Sequence, residues 1–419
     1  MPPPLKILIV EPYTFAPAHR WVATRISAGL SRRGHEVTLA TFGEVPREAA
    51  EAPPPFSVFE VAKTNRIGVL LTGRGPAGRS KGTALACWRL YCDLRTFPKV
   101  FRMATQQAYD LVYCYDWHPV TLWWTARLFF RKETGGAPAL AGTIHHLGRL
   151  ARGSDAFLGL TVKYYRTALA SLVKEFMRII FVWDESLRGD IIARLDLPPE
   201  YHEKIVTIPH GMDTSEPPYG RAEARRHLGI DGDDGVLLLI GVLRRDKGID
   251  VAIRAMEGTG SCRLYIVGAP YDCDVDELRA LIRDCNCEKS IILELRHLPE
   301  DEMQDYILAC DALLLPYHKT FRGQSGIVAR ACQYARAVIA SDVGAVGETI
   351  RKFGFGFVVE PESPEKLRQA IAKFLDLSES DRLKMESKAK FASQSYSWDE
   401  VCRRIEEVYY RCIEVRRSG

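Results

Sequence analysis

Arg244 and Lys247 stand three residues apart, just past the apolar run Leu237-Leu238-Leu239-Ile240-Gly241. A guanidinium offers forked hydrogen bonds to phosphate oxygens and an ammonium supplies a compact charge, so the pair suits a diphosphate. A second anion feature lies further on. Ala312 to Pro316 reads as a buried strand, Tyr317 to Ser325 as a loop carrying Lys319, Arg322 and Gln324, and Ser325-Gly326 as the opening of a helix that continues through Ile327. Serine is a good N-cap, glycine lets a ligand approach the backbone, and first-turn N–H groups attract anions. Taken singly, these features are also what a solvated basic turn and an ordinary αβ unit look like. Two of them on strand-end loops of one domain point to phosphate. Gly268, closing Leu264 to Val267, adds a close-approach glycine, and His297-Leu298 after another apolar run could present backbone groups to a nucleotide base.

The elements that must position these groups alternate strand and helix. Leu5 to Val10, a helical spacing over Trp21 to Arg33, and Glu36 to Ala40 make a βαβ opening. Strand patterns recur at 111–115, 139–143, 179–183 and 205–208, then, after the polar, proline-containing passage 213–220, at 236–240, 263–267, 291–295, 312–315 and 338–340. The expectation is an α/β protein with an N-terminal Rossmann-like domain over 1–214 and a C-terminal one over 215–395. A last helix over 396–419 is expected to pack back on the first domain. Two doubly wound sheets in tandem would face their strand-end loops across a cleft.

With 419 residues, 47% hydrophobic and 26% charged, the chain is an ordinary globular protein too long for one core. No apolar run is long enough to span a bilayer, and 11 cysteines, an odd number, suit a reducing compartment, so a cytoplasmic setting is expected. Cys273, Cys285 and Cys287 match no zinc spacing. A net charge of +4 does not imply nucleic acid, but its distribution matters: 63–102 holds nine basic residues against Asp93 alone, among Trp88, Tyr91, Phe97 and Phe101. That segment suggests an anionic membrane surface, with a solvated face as the plain alternative.

The ordered set Gly241 to Gly248, Leu264 to Pro270, Asp311 to Pro316 and Ser341-Asp342-Val343-Gly344-Ala345 resembles the nucleotide-sugar half of retaining glycosyltransferases of the GT-B fold, family 4. The likeness extends to Ile208-Pro209-His210-Gly211-Met212-Asp213, which resembles that family's hinge. It also reaches Asp116-Trp117-His118 and Thr143-Ile144-His145, which resemble its D-W-H and T-x-H segments. The resemblance implies a nucleoside diphosphate sugar as donor, with Gly241, Gly268, His297, Leu298, Gln324, Ser325, Gly326 and Ile327 around it and Arg244, Lys247 and His145 as catalytic residues. His19, Asp116 and His118 are the acceptor-side candidates, and for His19 a helix-capping role is the bland alternative. Neither metal nor cofactor is expected. A donor phosphate oxygen would take the acceptor proton, and the sugar would keep its anomeric configuration. The implied acceptor is a glycan or lipid-linked precursor, in cell-surface glycan or glycolipid synthesis, with the protein peripheral on the inner face of the cell membrane. Two positions depart from the family: Arg322 and Arg330 stand where two glutamates, contacting sugar and ribose, are common. They motivate the competing reading, a catalytically silent nucleotide-sugar-binding or assembly subunit.

Overall fold

The computed structural model describes residues 2–12, 17–42, 54–62, 79–130, 137–145, 156–232, 234–259, 262–321 and 323–418. The chain divides into two units, Met1–Pro209 with Trp398–Gly419, and His210–Ser397.

In the first unit the strands are β1 (Lys6–Glu11), β2 (Glu36–Phe42), β3 (Ser57–Ala62), β4 (Leu111–Cys114), β5 (Ala139–Thr143), β6 (Met177–Val182) and β7 (Ile205–Thr207). They form one sheet in the order β3-β2-β1-β4-β5-β6-β7, with every pairing parallel. The principal helices are α1 (Pro17–Arg32), α2 (Arg79–Gln106), α3 (Pro119–Phe129), α4 (Ala156–Ser171) and α5 (Glu185–Leu195). Parallel strands need helical crossovers that cover both faces, which is why β1 and β4 read as nearly unbroken apolar runs. Leu8, Val10, Val112 and Ile180 point into the layer holding Phe97, Phe101 and Leu122. Ile7, Ile9, Tyr113 and Phe181 point into the opposite layer.

The second unit contains β8 (Gly235–Ile240), β9 (Cys262–Val267), β10 (Ile291–Glu294), β11 (Ala312–Leu315), β12 (Ala337–Ser341) and β13 (Gly356–Val359). Their order is β10-β9-β8-β11-β12-β13, again wholly parallel. Among its helices are α6 (Arg221–His227), α7 (Ile249–Ala255), α8 (Val275–Asp284), α9 (Glu300–Ala309) and α10 (Gly326–Gln333). They are followed by α11 (Gly344–Phe353), α12 (Pro364–Leu375) and α13 (Glu379–Ser395). Both sheets therefore have the doubly wound order in which the chain reverses direction across the sheet beside its first strand. Those reversals fall between β1 and β4 and between β8 and β11.

The last helix, α14 (Trp398–Ser418), belongs to the first unit. Its apolar stripe of Trp398, Val401, Cys402, Ile405 and Tyr409 joins Val22, Ala23, Ile26 and Leu30 of α1 in one core layer. The helices meet at Gly29, where an added Cβ would lie 2.3 Å from the Cys402 sulfur. Glu406 fastens the rim, accepting from Arg33 Nε at 2.8 Å and paired with His35 Nε2 at 3.0 Å.

Two strands were not foreseen from the sequence, β3 and β13. Both are the end strands of their sheets, where one neighbour is missing and apolar content is lower. No helix of the described residues is long and apolar enough to cross a membrane.

Candidate functional site

In the second unit, the loops after β8 and β11 flank the topological switch point, and glycines lock the β8 loop to its neighbours after β9 and β11. Gly268 has φ 150°, and a Cβ there would sit 1.9 Å from the Gly241 carbonyl oxygen. Gly248 has φ 66°, and its Cβ would meet the Pro316 carbonyl oxygen at 1.8 Å. Only residues without a side chain let these turns approach so closely. Hydrogen bonds finish the join: His318 N–H donates to the Asp246 carbonyl at 3.0 Å, and His318 Nε2 pairs with Asp250 Oδ1 at 3.0 Å.

This packing directs Lys247 back over the end of β8. Its Nζ lies 3.1 Å from where a Cβ on Gly241 would be, and Ile327 Cδ1, in the first turn of α10, is 3.8 Å from that same point. The ammonium thus shares the space over Gly241 with the Ile327 side chain of the first turn of α10. Burial, reinforced by the charge of Arg244 and opposed by Asp246, pulls its pKa down to about 8. A lysine so desolvated gains more than an exposed one from an arriving anion. Arg244 is differently placed: Nε and Nη2 both donate to the Asp246 carboxylate, at 2.9 and 2.8 Å, and the guanidinium lies 6.0 Å from the Phe321 ring. Sequence spacing made Arg244 the equal of Lys247, but the local carboxylate already holds the fork.

Ser325 occupies the N-cap position of α10, but its side chain does not cap. Its hydroxyl is 2.9 Å from the Tyr317 hydroxyl, whose pKa burial pushes up to about 12. The expected serine cap is therefore a correction: the hydroxyl is drawn sideways to the phenol, leaving the first-turn N–H groups without a side-chain acceptor from Ser325. Beside it, the Gln324 amide oxygen is buried with no hydrogen-bond donor among the described residues. Gly326 has open space where a Cβ would go. Leu298 is buried and His297 exposed at the start of the loop before α9. Arg330, on α10, forms an ion pair with Glu300 in the first turn of α9. Arg322 lies outside the described residues. Glu300, which the sequence offers as part of a helix cap, pairs with Arg330 instead; Tyr317 and Asp246 are not singled out by sequence, and of the two only Asp246, two residues from Arg244, carries a usable signal.

In the first unit, His19 in the first turn of α1 and Asp116 after β4 lie on either side of the corresponding reversal. His19 Nδ1–H donates to Asp116 Oδ2 at 2.8 Å, while the other carboxylate oxygen accepts from the Trp117 N–H at 2.9 Å. Burial pushes the Asp116 carboxyl upward, but the His19 hydrogen bond and the neighbouring imidazoles outweigh it and hold the group below its ordinary range. The His19 ring stacks on His145, centroids 4.3 Å apart and planes 15° from parallel. His145 Nδ1 accepts from Trp183 Nε1–H at 3.1 Å, so Nε2 carries the proton and donates to the Tyr115 carbonyl at 2.8 Å. Both nitrogens of His145 are thus engaged within the fold. His118 is elsewhere: it is the N-cap residue of α3, with its ring 5.5 Å from Tyr165. His146 lies outside the described residues.

His19, Asp116 and His145 each offer an atom within 4.8 Å of the others, a spacing that metal ions use. Imidazole lone pairs lie in the ring plane, so stacked, nearly parallel rings direct them side by side rather than toward one point. With both His145 nitrogens engaged as well, the trio is better suited to hydrogen bonding than to holding an ion.

Comparison with known proteins bears on what these two edges do. Residues 220–392 match the model of glycosyl transferases group 1, and residues 20–216 that of glycosyltransferase family 4. The chain is 26% identical to the D-inositol 3-phosphate glycosyltransferase of Kineococcus radiotolerans, over 94% of this chain and 90% of that protein. It is 28% identical to the enzyme of the same name from Acidothermus cellulolyticus, over 52% of this chain and only 50% of that relative's length. Among solved structures, a glycosyltransferase from Rickettsia africae matches with TM-score 0.71 at 15% identity, covering 98% of this chain and 99% of that one. Anabaena HepE in complex with UDP matches with TM-score 0.71 at 16% identity, covering 97% of this chain and 100% of that one. At such identities the structural likeness speaks for the fold.

Proposed function

We propose, on the premise that this chain is a nucleotide-sugar-using glycosyltransferase of the family 4 type with the GT-B fold, that it retains anomeric configuration and serves cell-surface glycan or glycolipid synthesis. The donor is a nucleoside diphosphate sugar bound by the second unit. As the bond from the anomeric carbon to the diphosphate oxygen breaks, its electron pair passes to the diphosphate. The Lys247 ammonium and the first-turn N–H groups of α10 stabilise that charge where it develops. The acceptor oxygen bonds to the anomeric carbon on the face the diphosphate leaves, and the acceptor proton passes to a donor phosphate oxygen. Arg244 keeps Asp246 and the turn in place, and Gln324 offers its buried carbonyl to a donor hydroxyl. His19 and Asp116 hold the acceptor, with His145 as the wall behind them. No metal or cofactor takes part.

The observation that carries this reading is the convergence of Lys247, Gly241 and the start of α10 on one point. The acceptor is a glycan or lipid-linked precursor, and the protein works in the cytoplasm at the inner face of the cell membrane. The basic segment 63–102 supports that setting, although 63–78 lies outside the described residues. Titration with UDP-, GDP-, ADP- and dTDP-sugars, following thermal shift and donor hydrolysis together, tests the assignment. Stabilisation with slow hydrolysis by one donor is expected. Binding without hydrolysis under any acceptor would instead favour a silent subunit, the reading to which Arg330 in place of a carboxylate lends weight.

A further inference from the structure

One surface of the first unit has no part in that chemistry. Helices α2, α3 and α4 carry nine basic residues and a single acid, Asp93. Asp93 is buried, and its carboxylate is used at the start of α3, accepting from the His118 N–H at 3.3 Å and from the Thr121 hydroxyl. The exposed charge of these helices is therefore all positive, with Arg95, Lys99, Arg127, Lys163 and Arg166 in solvent.

Large apolar side chains are exposed on the same helices. Leu128 is 73% exposed, Leu94 56% and Trp124 52%. Trp124 Nε1–H donates to the Tyr164 hydroxyl at 2.7 Å, joining indole and phenol across α3 and α4. Trp123 lies 5.3 Å from Trp124 by ring centroid, with the Arg127 guanidinium 5.1 Å over its ring. A protein interface also gathers aromatic residues and arginine, but its centre is depleted of lysine, whereas Lys99 and Lys163 stand in this exposed set. Aromatic residues with a polar tip, exposed leucines and unrelieved positive charge instead match the boundary between lipid headgroups and acyl chains.

We propose that this three-helix face docks on an anionic lipid bilayer. Trp124, Leu128 and Tyr164 sit at the headgroup boundary, and Arg95, Lys163 and Arg166 lie over lipid phosphates. This rests on the membrane setting proposed above and deepens it beyond the basic segment 63–102, because the apolar anchor lies on α3 and α4.

The test is co-sedimentation of the full chain with vesicles of phosphatidylcholine alone or mixed with phosphatidylglycerol, at low and high salt. Retention by the anionic vesicles only, weakening with salt, is expected. Trp124→Ser with Leu128→Ser should lower partitioning by roughly tenfold or more, and Arg166→Glu, which leaves the apolar ridge intact, by about tenfold. Equal binding to neutral and anionic vesicles, no binding to either, or wild-type binding by both variants would overturn the proposal. So would a dimer in size-exclusion chromatography that Leu128→Ser dissolves, which would assign the face to a second copy of the chain. Donor hydrolysis without vesicles, measured on the same samples, reports on the transfer reaction separately. It should be unchanged in the variants that leave the vesicles.

Discussion

The two sheets reverse at equivalent places and furnish them in opposite ways. Between β8 and β11 the site is made of backbone: glycines whose absent side chains let loops touch, a helix start whose serine does not cap it, and one ammonium directed over a glycine. Between β1 and β4 it is made of side chains, an imidazole tied to a carboxylate and stacked on a second imidazole that indole and carbonyl hold in one tautomer. The first arrangement suits a ligand feature that every donor shares, the diphosphate. The second suits recognition that varies with the hydroxyl being glycosylated. The lesson is that a common fold position can be rigid for different reasons, so equivalent substitutions should fail differently.

The sharpest break in that comparison is Gly268→Ala, because a Cβ 1.9 Å from the Gly241 oxygen forces the β8 and β9 loops apart. Donor turnover should fall to background and the midpoint of thermal unfolding should drop, measured by hydrolysis and calorimetry. Next is Lys247→Ala, expected to lower turnover by on the order of 10²-fold while the unliganded fold survives; near-normal turnover would remove Lys247 from the mechanism. Asp116→Asn should act on the other edge alone. Losing the charge that orients His19 lowers acceptor-dependent transfer by roughly tenfold, with acceptor-free donor hydrolysis left close to wild type. A parallel loss of both rates would mean the two edges are not separable.

pH separates the edges without mutation. The folded pKa of Lys247 is depressed to about 8 from the ordinary lysine value of 10.5, so the native state binds fewer protons than the unfolded one between those values. This group's contribution to stability therefore rises with pH across that window and is lost as pH falls below it. Nucleotide affinity runs the other way, since the ammonium must be charged to meet the diphosphate, and should decline above about pH 8, which isothermal titration would detect. The smallest effect belongs to Ser325→Ala. Its hydroxyl serves Tyr317 rather than the helix start, so donor affinity should change by no more than about threefold, well under the full loss of a cap.

Much of this was legible in the sequence. Interior strands such as β1, β8 and β11 are apolar runs closed by proline or glycine, and buried parallel strands can hardly read otherwise. Edge strands are different: β3 leaves Val58 and Glu60 exposed, and β13 is half-buried throughout, so neither satisfies an apolar template. At the proposed donor edge, Lys247 and the start of α10 follow from local spacing, since a turn and a helix opening are local events. What Arg244 does is not local in the same sense, because its rotamer decides between a ligand and Asp246. The proposed acceptor edge was the least legible. His19 and Asp116 are 97 residues apart, and only the strand order brings them together. The same order places Trp183 against His145 and assigns His118 to the start of α3.

The return of α14 to the first unit has a consequence for synthesis. Trp398, Val401, Ile405 and Tyr409 complete a core layer begun by α1 and β1, and all of His210–Ser397 is translated before them. On the ribosome, the second unit can close while the first still exposes the apolar groove beside α1. The first-made half of the chain is thus the last to finish, its flank unsealed until α14 emerges.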